Sequence, residues 1–475
     1  MISFIMKIRN PLNGKYDYTL LTDDPNSIAG RTGQLRQAQR TWGTAGVQHR
    51  AAVVTRWMEA FAHYETKIAD QLAIDTGRRR IARLETAAIL QLLRAWTQRA
   101  PQLLTPAPER PSFSEPSVRI RQQWVSYPVV GVVSPWNFPL LLALIDTIPA
   151  LLAGSAVLLK PSEVTPRFMD PLEESIQAVP ELAKVFQLVR GGPAVGKAVV
   201  QHADAICFTG SVPTGKAIAA VCAARFVPAF LELGGKDPAI VLDDADLDIS
   251  TDAVLRSAAG VAGQACQSLE RVYVDATIYD NFVERITAKA AAVRLDTQAD
   301  DTGEIGPLIF APQAEKIARQ LDEAVARGAR IRTGGTIETI NGGLYLRPTV
   351  VTGVDHSMAL MTEETFGPVI PIRSFPSEQV AIELANDSHY GLSAAVFSSN
   401  RERALRVAQQ LDAGAISIND GGLTNKVYDA EKNSFKQSGL YASRMGDAGF
   451  LRFFRKKALL IQTARPQTLR EQVRQ

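Results

Sequence analysis

Between residues 129 and 242 the chain repeatedly alternates a short apolar, β-branched run with a segment of helical spacing. A strand that reads as one continuous apolar run is buried on both faces, and helical crossovers place such strands parallel in one sheet. The pattern therefore predicts an α/β fold with a mostly parallel sheet covered on both faces. The apolar runs are residues 129–133, 156–159, 185–189, 205–208 and 239–242, and the helical segments are 138–153, 166–178 and 214–223.

The same alternation extends to both sides of this region. Apolar residues recur every three or four positions over 50–73, which predicts a helix. Five prolines between Pro101 and Pro116 predict an extended connector. Further strands are predicted at 272–274 and 415–418, with a helix near 277–293. A chain of 475 residues, 46% of them hydrophobic, can form two or three lobes with buried cores.

Charge and composition exclude two classes of binding partner. The formal net charge is +3, and no long basic stripe is interleaved with aromatic residues, so nucleic acid is not expected as a partner. Short basic runs at Arg78–Arg80 and Arg455–Lys457 are predicted to be solvated turns or helix faces. The five histidines lie far apart without the spacing of metal ligands, so no metal site is expected.

Three features predict a cytoplasmic protein that does not cross a membrane. The chain has only 3 cysteines, which do not form a disulfide framework and suit a reducing compartment. Residues 1–10 lack the apolar core and cleavage site of a signal peptide. The most apolar stretch, 138–153, contains Asp146 and Pro149 and is too short to span a bilayer, so we predict a buried helix there.

Cysteine is the strongest side-chain nucleophile near neutral pH, and one of the three cysteines has a distinctive setting. Cys207 lies in an apolar strand pattern and Cys222 on a helix rich in Ala and Val, so both are predicted to be buried packing residues. Cys266 lies in a loop of small residues, 260–268, which precedes a predicted strand. Glycines in such a loop allow a substrate to approach the sulfur closely, although an inert loop thiol is the ordinary alternative.

Two polar residues follow predicted strands and could act together with a thiolate. Glu232 precedes Gly234 and Gly235; if buried it could serve as a general base, and otherwise it is a strand residue that reaches water. Asn137 lies between Pro135 and Pro139 directly after a buried strand. Its amide could donate a hydrogen bond to an oxyanion, or it could simply stabilise a turn.

Two further strand ends carry groups that suit a nucleotide. Lys160 and Glu163 follow one strand and could bind ribose hydroxyls, or they could lie in an ordinary surface loop. Residues 208–211 end another strand where a helix begins, and a helix N-terminus favours phosphate. The dinucleotide fingerprint G-x-G-x-x-G is nevertheless absent, and residues 191–196 are the nearest run. The sequence also lacks a Walker-A motif.

The order of these motifs along the chain is more specific than any one of them. From about residue 20 to about residue 460 the sequence resembles the aldehyde dehydrogenase superfamily. The motifs that carry the resemblance are Pro-Trp-Asn-Phe-Pro at 135–139, Lys-Pro-Ser-Glu at 160–163, Phe-Thr-Gly-Ser at 208–211, Glu-Leu-Gly-Gly-Lys at 232–236, Gly-Gln-Ala-Cys at 263–266, Glu-Glu-Thr-Phe-Gly-Pro at 363–368 and Asn-Asp-Ser-His-Tyr-Gly-Leu at 386–392.

The resemblance implies a role for each matching residue. Cys266 would be the nucleophile, Asn137 with the backbone N–H of Cys266 would hold the oxyanion, and Glu232 would activate water to hydrolyse a thioester. A glutamate at the position of Glu163 would bind both ribose hydroxyls and repel a 2′-phosphate, which favours NAD⁺ and leaves NADP⁺ as the alternative. The implied cofactor-binding set is Ser134, Trp136, Lys160, Ser162, Glu163, Gly192, Gly196, Gly210, Ser211, Gly215, Leu233, Glu364 and Phe366.

The resemblance also implies a domain organisation. A variant Rossmann domain for the dinucleotide would comprise residues 1–107 and 127–234, and an α/β catalytic domain would comprise 235–435. Segments 108–126 and 440–475 would carry β-strands for oligomerisation, giving a homodimer or homotetramer. Family members bind the pyrophosphate without the glycine fingerprint, which accounts for its absence.

Two departures from the family pattern affect the predicted site. Arg190 stands where a glycine is common near the pyrophosphate. The C-terminal signature Pro-Phe-Gly-Gly-x-Lys-x-Ser-Gly lacks its paired glycines and reads Asn-Ser-Phe-Lys-Gln-Ser-Gly at 433–439. This segment borders the substrate entrance in the family, so we expect a reshaped entrance lined by 421–431. Its apolar and aromatic groups would suit an aromatic or medium-chain aldehyde. The predicted entrance residues are Phe138, Leu423, Val427 and Tyr428.

Two other functions remain open at this point. Members that acylate coenzyme A intercept the thioester with a thiol, but they usually lack a glutamate at the position of Glu232. A binding protein without catalysis on the same fold would be expected to have lost Cys266, Asn137 or Glu232, and all three are present.

Overall fold

The computed structural model of the chain describes residues 5–105, 108–466 and 468. The predicted oligomerisation segment beyond residue 468 lies outside this part of the chain. The strands, numbered along the chain, are β1 Ile5–Arg9, β2 Tyr16–Leu21, β3 Arg110–Pro111, β4 Val118–Ser126, β5 Val129–Val133, β6 Ala156–Lys160, β7 Phe186–Leu188, β8 Ala205–Thr209, β9 Ala229–Glu232, β10 Asp237–Val241, β11 Leu269–Asp275, β12 Arg330–Thr333, β13 Ile337–Ile340, β14 Gly343–Leu346, β15 Thr349–Thr352, β16 Val369–Phe375, β17 Tyr390–Gly391, β18 Ser393–Phe397, β19 Ala415–Ile418, β20 Phe435–Lys436, β21 Gly439–Leu440 and β22 Phe454–Gln462.

The helices confirm the predicted helical segments to within a few residues. Short 3₁₀ turns lie at Pro25–Ser27, Gly260–Gly263 and Leu423–Asn425. The α-helices are α1 Ile28–Thr44, α2 Val47–Thr76, α3 Arg79–Leu103, α4 Pro139–Ala153, α5 Met169–Gln177, α6 Pro180–Ala183, α7 Pro193–His202, α8 Val212–Ala224, α9 Leu247–Ala259, α10 Tyr279–Ala291, α11 Ala311–Ala326, α12 Ala359–Thr362, α13 Glu378–Asn386, α14 Arg401–Ala408 and α15 Ala448–Leu451.

The first sheet has the strand order β21-β9-β8-β5-β6-β7. Its strands are parallel except at the β21 edge, and its central strands are buried on both faces, as the continuous apolar runs predict. Lys160 pairs with Val133, and Thr209 pairs with Glu232, in register. The carboxyl ends of four strands therefore lie side by side along one edge of the sheet.

The second sheet has the order β12-β15-β16-β11-β10-β18-β19. Among the described residues, β12 is antiparallel to its neighbour β15, and the other neighbouring strands of this sheet are parallel. A third sheet has the order β22-β4-β3. In it, β22 and β4 pair antiparallel, from Phe454 opposite Ser126 to Gln462 opposite Val118. Residues 439–453 contact the first sheet through β21 and α4 through α15 before the chain joins this third sheet. The domain boundaries predicted above stay predictions.

Two details differ from the sequence predictions. The segment from Pro101 begins as helix, because α3 continues to Leu103; the Leu104 N–H donates to Ala100 O and closes the last turn. Arg78 is buried and not solvated, whereas Arg79 and Arg80 are exposed as predicted.

The apolar stretch 138–153 forms the largely buried helix α4, as predicted. Among the described residues, no helix combines the length and the apolar character needed to cross a bilayer.

Candidate active site

A cavity of about 860 Å³ lies along the carboxyl edge of the first sheet. The ends of β5, β6 and β8 and the first turns of α7 and α8 form one wall, and residues that belong to the second lobe form the other. The predicted site residues that line it are Ser134, Trp136, Asn137, Lys160, Ser162, Glu163, Gly196, Gly210, Ser211, Leu233, Cys266, Glu364 and Phe366.

Cys266 lies in a tight turn between α9 and β11. Val261 and Ala262 adopt positive φ angles of 52° and 56°, and Gly263 follows at 67°. A Cβ atom on Gly263 would lie 2.2 Å from the backbone of Gly367, so only glycine allows these two segments to approach. This close approach brings the Cys266 loop against the 364–367 segment, which lines the opposite side of the cavity.

The thiol of Cys266 is protonated in the resting protein. Burial, together with the charges of Asp237, Glu232 and Glu364, raises its pKa to about 12, while the Lys432 ammonium acts in the opposite direction. Burial also raises the pKa of Cys207 and Cys222, and neither of those residues lines the cavity. Among the three cysteines, Cys266 is therefore the one that a bound molecule can reach.

Asn137 contacts the Cys266 loop directly. Its Nδ2 donates to the carbonyl oxygen of Gln264 at 3.0 Å. The Gln264 side chain is buried and held at both ends, because Nε2 donates to Pro307 O at 3.0 Å and Oε1 accepts from the Ile309 N–H at 2.8 Å. The amide of Asn137 is thereby fixed beside Cys266 at the wall of the cavity.

Two buried charged residues fix the backbone around Asn137. The guanidinium of Arg78 donates to Asn137 O, which is why Arg78 is buried and not solvated. Glu85 Oε2 accepts from the N–H groups of Leu140 and Leu141 at 3.1 and 3.0 Å. Those N–H groups belong to the unpaired first turn of α4, so a carboxylate from α3 caps the helix that begins just after Asn137.

Glu232 ends β9 and does not line the cavity, but its charge acts on the Cys266 thiol. Its Oε2 accepts a hydrogen bond from Ser434 Oγ at 2.9 Å. Arg444 approaches from the same side: it donates to Thr209 Oγ1 at 2.6 Å, and the charge of Glu232 raises its already high pKa. Glu232 thus lies next to Cys266, between the first sheet and the C-terminal segment.

Lys160 and Glu163 form the polar end of the cavity. Lys160 Nζ lies 2.7 Å from Glu163 Oε2, and Lys160 is buried. The helices α7 and α8 begin nearby, at Pro193 and Val212, with side-chain caps at neither N-terminus. Their free N–H groups and positive dipole ends favour an anion such as a pyrophosphate.

The opposite wall is aromatic and anionic. The Trp136 ring contacts Phe366 at 5.4 Å and Phe310 at 5.9 Å between centroids. Burial raises the pKa of Glu364 to about 7, although its Oε1 accepts from the Gly235 N–H at 3.2 Å. Phe366 has a positive φ of 54°.

Behind this wall, a buried ion pair holds the 364–366 segment in place. Glu270 pairs with Lys236 at 2.8 Å and accepts from the N–H groups of Thr365 and Phe366, each at 2.7 Å. The conformation of Phe366 is therefore imposed by contacts outside the cavity.

Comparison with known proteins identifies the family. A sequence model of the aldehyde dehydrogenase family matches residues 4–459. A presumed NADP⁺-dependent succinate-semialdehyde dehydrogenase of Mycolicibacterium smegmatis is 35% identical over 94% of this chain and 86% of its own.

Solved structures agree. The structure of a presumed aldehyde dehydrogenase, PutA from Anabaena variabilis, superimposes with a TM-score of 0.96 and 45% identity over 98% of this chain and 99% of that chain. Betaine aldehyde dehydrogenase from Staphylococcus aureus, solved in complex with NAD⁺, gives a TM-score of 0.92 at 30% identity over 98% and 93% of the two chains.

This chain belongs to the aldehyde dehydrogenase family. It is an oxidoreductase of the class that oxidises aldehydes to carboxylic acids with NAD(P)⁺. The resemblance given by the ordered motifs and the α/β fold expected from it are both confirmed.

The first departure of this aldehyde dehydrogenase from the family pattern does not obstruct the cavity. Arg190 does not line the cavity, and its guanidinium pairs with Asp170 at 2.9 Å and Glu173 at 2.7 Å. The larger side chain therefore replaces a glycine without entering the predicted cofactor site.

Several predicted site residues lie outside the cavity. Gly192 and Gly215 support its walls: a Cβ on Gly215 would lie 2.6 Å from the Leu233 side chain, so glycine lets α8 pack against Leu233. The predicted entrance residues also lie elsewhere. Phe138 packs under Arg78, Leu423 and Val427 are exposed, and Tyr428 packs against the core of the first lobe. Their role at a substrate entrance stays a prediction.

Sequence reasoning missed other residues of this enzyme's site. Phe310 and Gln313 line the cavity from the start of α11, and Ser434 and Arg444 approach Glu232 from the C-terminal segment. Of these four residues, only Ser434 lies in a motif quoted above, and the sequence indicated no more than that it replaces a glycine of the C-terminal signature. Among the described residues, no cluster of three or more His, Cys, Asp and Glu side chains has an arrangement suited to a metal ion.

Proposed function

We propose that this enzyme oxidises an aldehyde to the carboxylic acid with NAD⁺, through a thioester on Cys266. The observation that carries the proposal is the arrangement of three groups: Cys266 and Asn137 line the cavity, and the charge of Glu232, at the end of β9, acts on the Cys266 thiol. A nucleophile, an amide donor and a carboxylate are the three groups that acyl transfer followed by hydrolysis requires.

The residues of the chain would act in sequence. The Cys266 sulfur, once deprotonated, attacks the aldehyde carbonyl carbon and forms a thiohemiacetal. Asn137 Nδ2 and the backbone N–H of Cys266 donate to the developing oxyanion, and such a donor contributes about 3–4 kcal/mol in the transition state. A bound nicotinamide cofactor supplies the hydride acceptor that turns the thiohemiacetal into a thioester. Glu232 then takes a proton from the water that attacks the thioester, and the acid leaves as the thiolate re-forms.

The residues that line the cavity fit a dinucleotide. Gly210 and Gly196 leave the backbone open near the helix N-termini, where a Cβ on Gly210 would collide with the Phe208 ring at 2.5 Å. Lys160 and Glu163 would hold a ribose, and Trp136, Leu233, Glu364 and Phe366 would surround the nicotinamide end. A cavity of about 860 Å³ lies in the usual range for cofactor sites.

We propose NAD⁺ as the preferred cofactor. The carboxylate of Glu163 lines the cavity and would lie against a 2′-phosphate, where like charge is unfavourable. The relative from Staphylococcus aureus was solved with NAD⁺, whereas the relative from Mycolicibacterium smegmatis is named for NADP⁺. Lys160, paired with Glu163, keeps NADP⁺ as the alternative to be measured.

For the substrate we propose an aromatic or medium-chain aldehyde. The segment 421–431 contacts the residue after Cys266, because Thr424 Oγ1 donates to Gln267 Oε1 at 2.6 Å, and it offers Leu423, Val427 and Tyr428. A second candidate is an aldehyde that carries a carboxylate. It is favoured by Lys432, whose charge acts on Cys266, and by the succinate-semialdehyde name of the Mycolicibacterium smegmatis relative.

The first experiment measures NADH formation against a panel of short and long aliphatic aldehydes, benzaldehyde and semialdehydes, with NADP⁺ in parallel. Turnover with NAD⁺ alone is the expected result, and the best aldehyde defines the substrate class. The variant Cys266→Ala should lose activity by at least about 10⁴-fold while the matched variants Cys207→Ala and Cys222→Ala keep turning over. Oxidation that survives in Cys266→Ala would contradict the mechanism.

Coenzyme A is tested in the same assay. Glu232 is present and close to Cys266, which favours water as the acyl acceptor. Turnover that requires coenzyme A would remove Glu232 from its proposed role and make the acylating reaction the better description.

The three cysteines are unpaired in the structure, which supports the proposal that the enzyme works in the cytoplasm.

A further inference from the structure

We propose that Ser434 is a positioning residue that holds Glu232 for hydrolysis of the thioester, an inference that rests on the proposed function. Ser434 Oγ donates to Glu232 Oε2 at 2.9 Å. Within the part of the chain that the structure describes, Ser434 Oγ is the hydrogen-bond donor to the Glu232 carboxylate, which leaves its other oxygen, Oε1, available to receive a proton from water. An O–H donor stabilises the ionised carboxylate and restricts its rotamers, and both effects favour a general base.

The hydroxyl is held in place by the packing of its segment. A Cβ on Gly439 would lie 2.6 Å from Ser434 Cβ, and a Cβ on Gly414 would lie 1.7 Å from Asn433 O, so two glycines let this turn approach its neighbours. The Lys432 N–H donates to Ser443 Oγ at 3.1 Å. The turn is therefore clamped on both sides of Ser434.

The backbone of Glu232 is bound to the same segment. Gly439 pairs with Glu232 in the β21–β9 ladder, and the Leu233 N–H donates to Ser438 O at 2.8 Å. One short stretch of chain thus fixes both the main chain and the side chain of Glu232. Ser434 stands where the family signature has a glycine, so the hydroxyl contact belongs to this chain and not to the common pattern.

The test isolates hydrolysis of an acyl-enzyme without the cofactor. With 4-nitrophenyl acetate, the Cys266 sulfur attacks the ester carbonyl, a C–S bond forms, and 4-nitrophenolate leaves. Water then attacks the thioester, Glu232 takes a proton, and acetate leaves as the C–S bond breaks. The release of 4-nitrophenolate measures acylation, and the decay of the acetylated protein by intact mass measures hydrolysis directly.

We expect Ser434→Ala and Ser434→Gly to acylate within about twofold of the parent and to hydrolyse the acyl-enzyme about tenfold more slowly, as for the loss of a hydrogen bond to a charged group. Combined with Glu232→Gln, Ser434→Ala should add no further loss, because both act on the same step.

Ser443→Ala is the matched control, since it loosens the same segment without contact to Glu232. It should leave the ratio of hydrolysis to acylation unchanged. A rate of hydrolysis in Ser434→Ala equal to that of the parent, or equal falls in acylation and hydrolysis, would overturn the inference. If Glu232→Gln hydrolyses the acyl-enzyme as fast as the parent, the proposed function itself fails, whatever Ser434 does.

Discussion

The protonation of Cys266 is set by a few charges around a buried sulfur. Burial and three nearby carboxylates raise its pKa to about 12, and the Lys432 ammonium opposes them. A thiol in this state is unreactive until a bound molecule or a base changes its surroundings. Such a setting protects the nucleophile from adventitious alkylation in the resting enzyme.

Lys432→Met tests the one favourable charge. Because the ammonium stabilises the thiolate, its removal raises the pKa of Cys266, and at any fixed pH the thiolate fraction falls. The rate of alkylation by iodoacetamide should drop, and its pH profile should move upward by on the order of half a unit. Lys426→Met is the control, since Lys426 is an exposed lysine of the neighbouring turn and does not count among the charges that influence the thiol most strongly. Equal profiles for both variants would show that Lys432 has no influence.

At this scale the sequence distinguished the three cysteines for a physical reason. An apolar strand or helix predicts a buried thiol, and a loop of small residues predicts an approachable one, which the cavity confirms for Cys266. The partner of Glu232 could not be found in this way. Ser434 lies 202 positions further along the chain, and such a contact depends on the fold and not on local pattern.

At the scale of elements, α4 is fastened to the C-terminal segment by one buried carboxylate. Asp146 on α4 pairs with Arg444 at 2.7 Å and also with Arg452. Burial alone would raise the pKa of Asp146, but the two guanidinium groups outweigh it and the pKa lies below the ordinary value of 3.8. A carboxyl with a lowered pKa stabilises the fold at neutral pH, and this stabilisation is lost only as the pH falls through that lowered value.

Asp146→Asn should therefore destabilise the enzyme at neutral pH. The amide keeps the size of the side chain but leaves two buried guanidinium groups without a counter-charge, which typically costs about 3–5 kcal/mol of unfolding free energy. The thermal midpoint is measured by scanning calorimetry. Asp248→Asn, which breaks an exposed pair with Arg285, should change the unfolding free energy by less than about 1 kcal/mol. A midpoint for Asp146→Asn as high as that of the control would contradict the argument.

The sequence predicted elements better than their ends. Helical spacing predicted α2, because its buried face returns on every turn, and continuous apolar runs predicted the strands that are buried on both faces. The extended connector was predicted to begin at Pro101, whereas α3, which the sequence did not predict, continues through Pro101 to Leu103. The sequence also predicted that Arg78 is solvated. Its burial depends on a hydrogen bond to the carbonyl of Asn137, a distant residue that the local sequence around Arg78 does not indicate.

At the scale of the whole molecule, the cavity exists only because two sheets meet. The first sheet supplies the cofactor wall, and the second positions Cys266 and Phe366. The order of the motifs predicted which residues belong to this site, but it did not predict how they are arranged around the cavity. Phe310 and Gln313 escaped notice because their contribution arises from the packing of one lobe on the other.

Strand β22 forms an exposed edge of the third sheet. The order β22-β4-β3 pairs β22 on one side only among the described residues, and Leu460 on that strand is 69% exposed. The second half of β22, residues 458–461, is an exposed apolar run, and such a run on an open strand edge favours pairing with another chain. Family resemblance predicts a homodimer or homotetramer, and this edge is where we expect the copies to meet.

Leu460→Asp tests that expectation for the assembled enzyme. A carboxylate at the centre of a strand interface would be desolvated without a partner, so the variant should shift to a smaller species by size-exclusion chromatography with light scattering. Leu21→Asp is the matched control, because Leu21 is similarly exposed, at 63%, on β2 in a separate sheet. A parent enzyme that is monomeric would contradict the expected oligomer, and a Leu460→Asp variant with the mass of the parent oligomer would place the interface elsewhere. Loss of the oligomer in Leu460→Asp alone would assign it to β22, and since no residue of β22 lines the cavity, any fall in activity would then report on assembly.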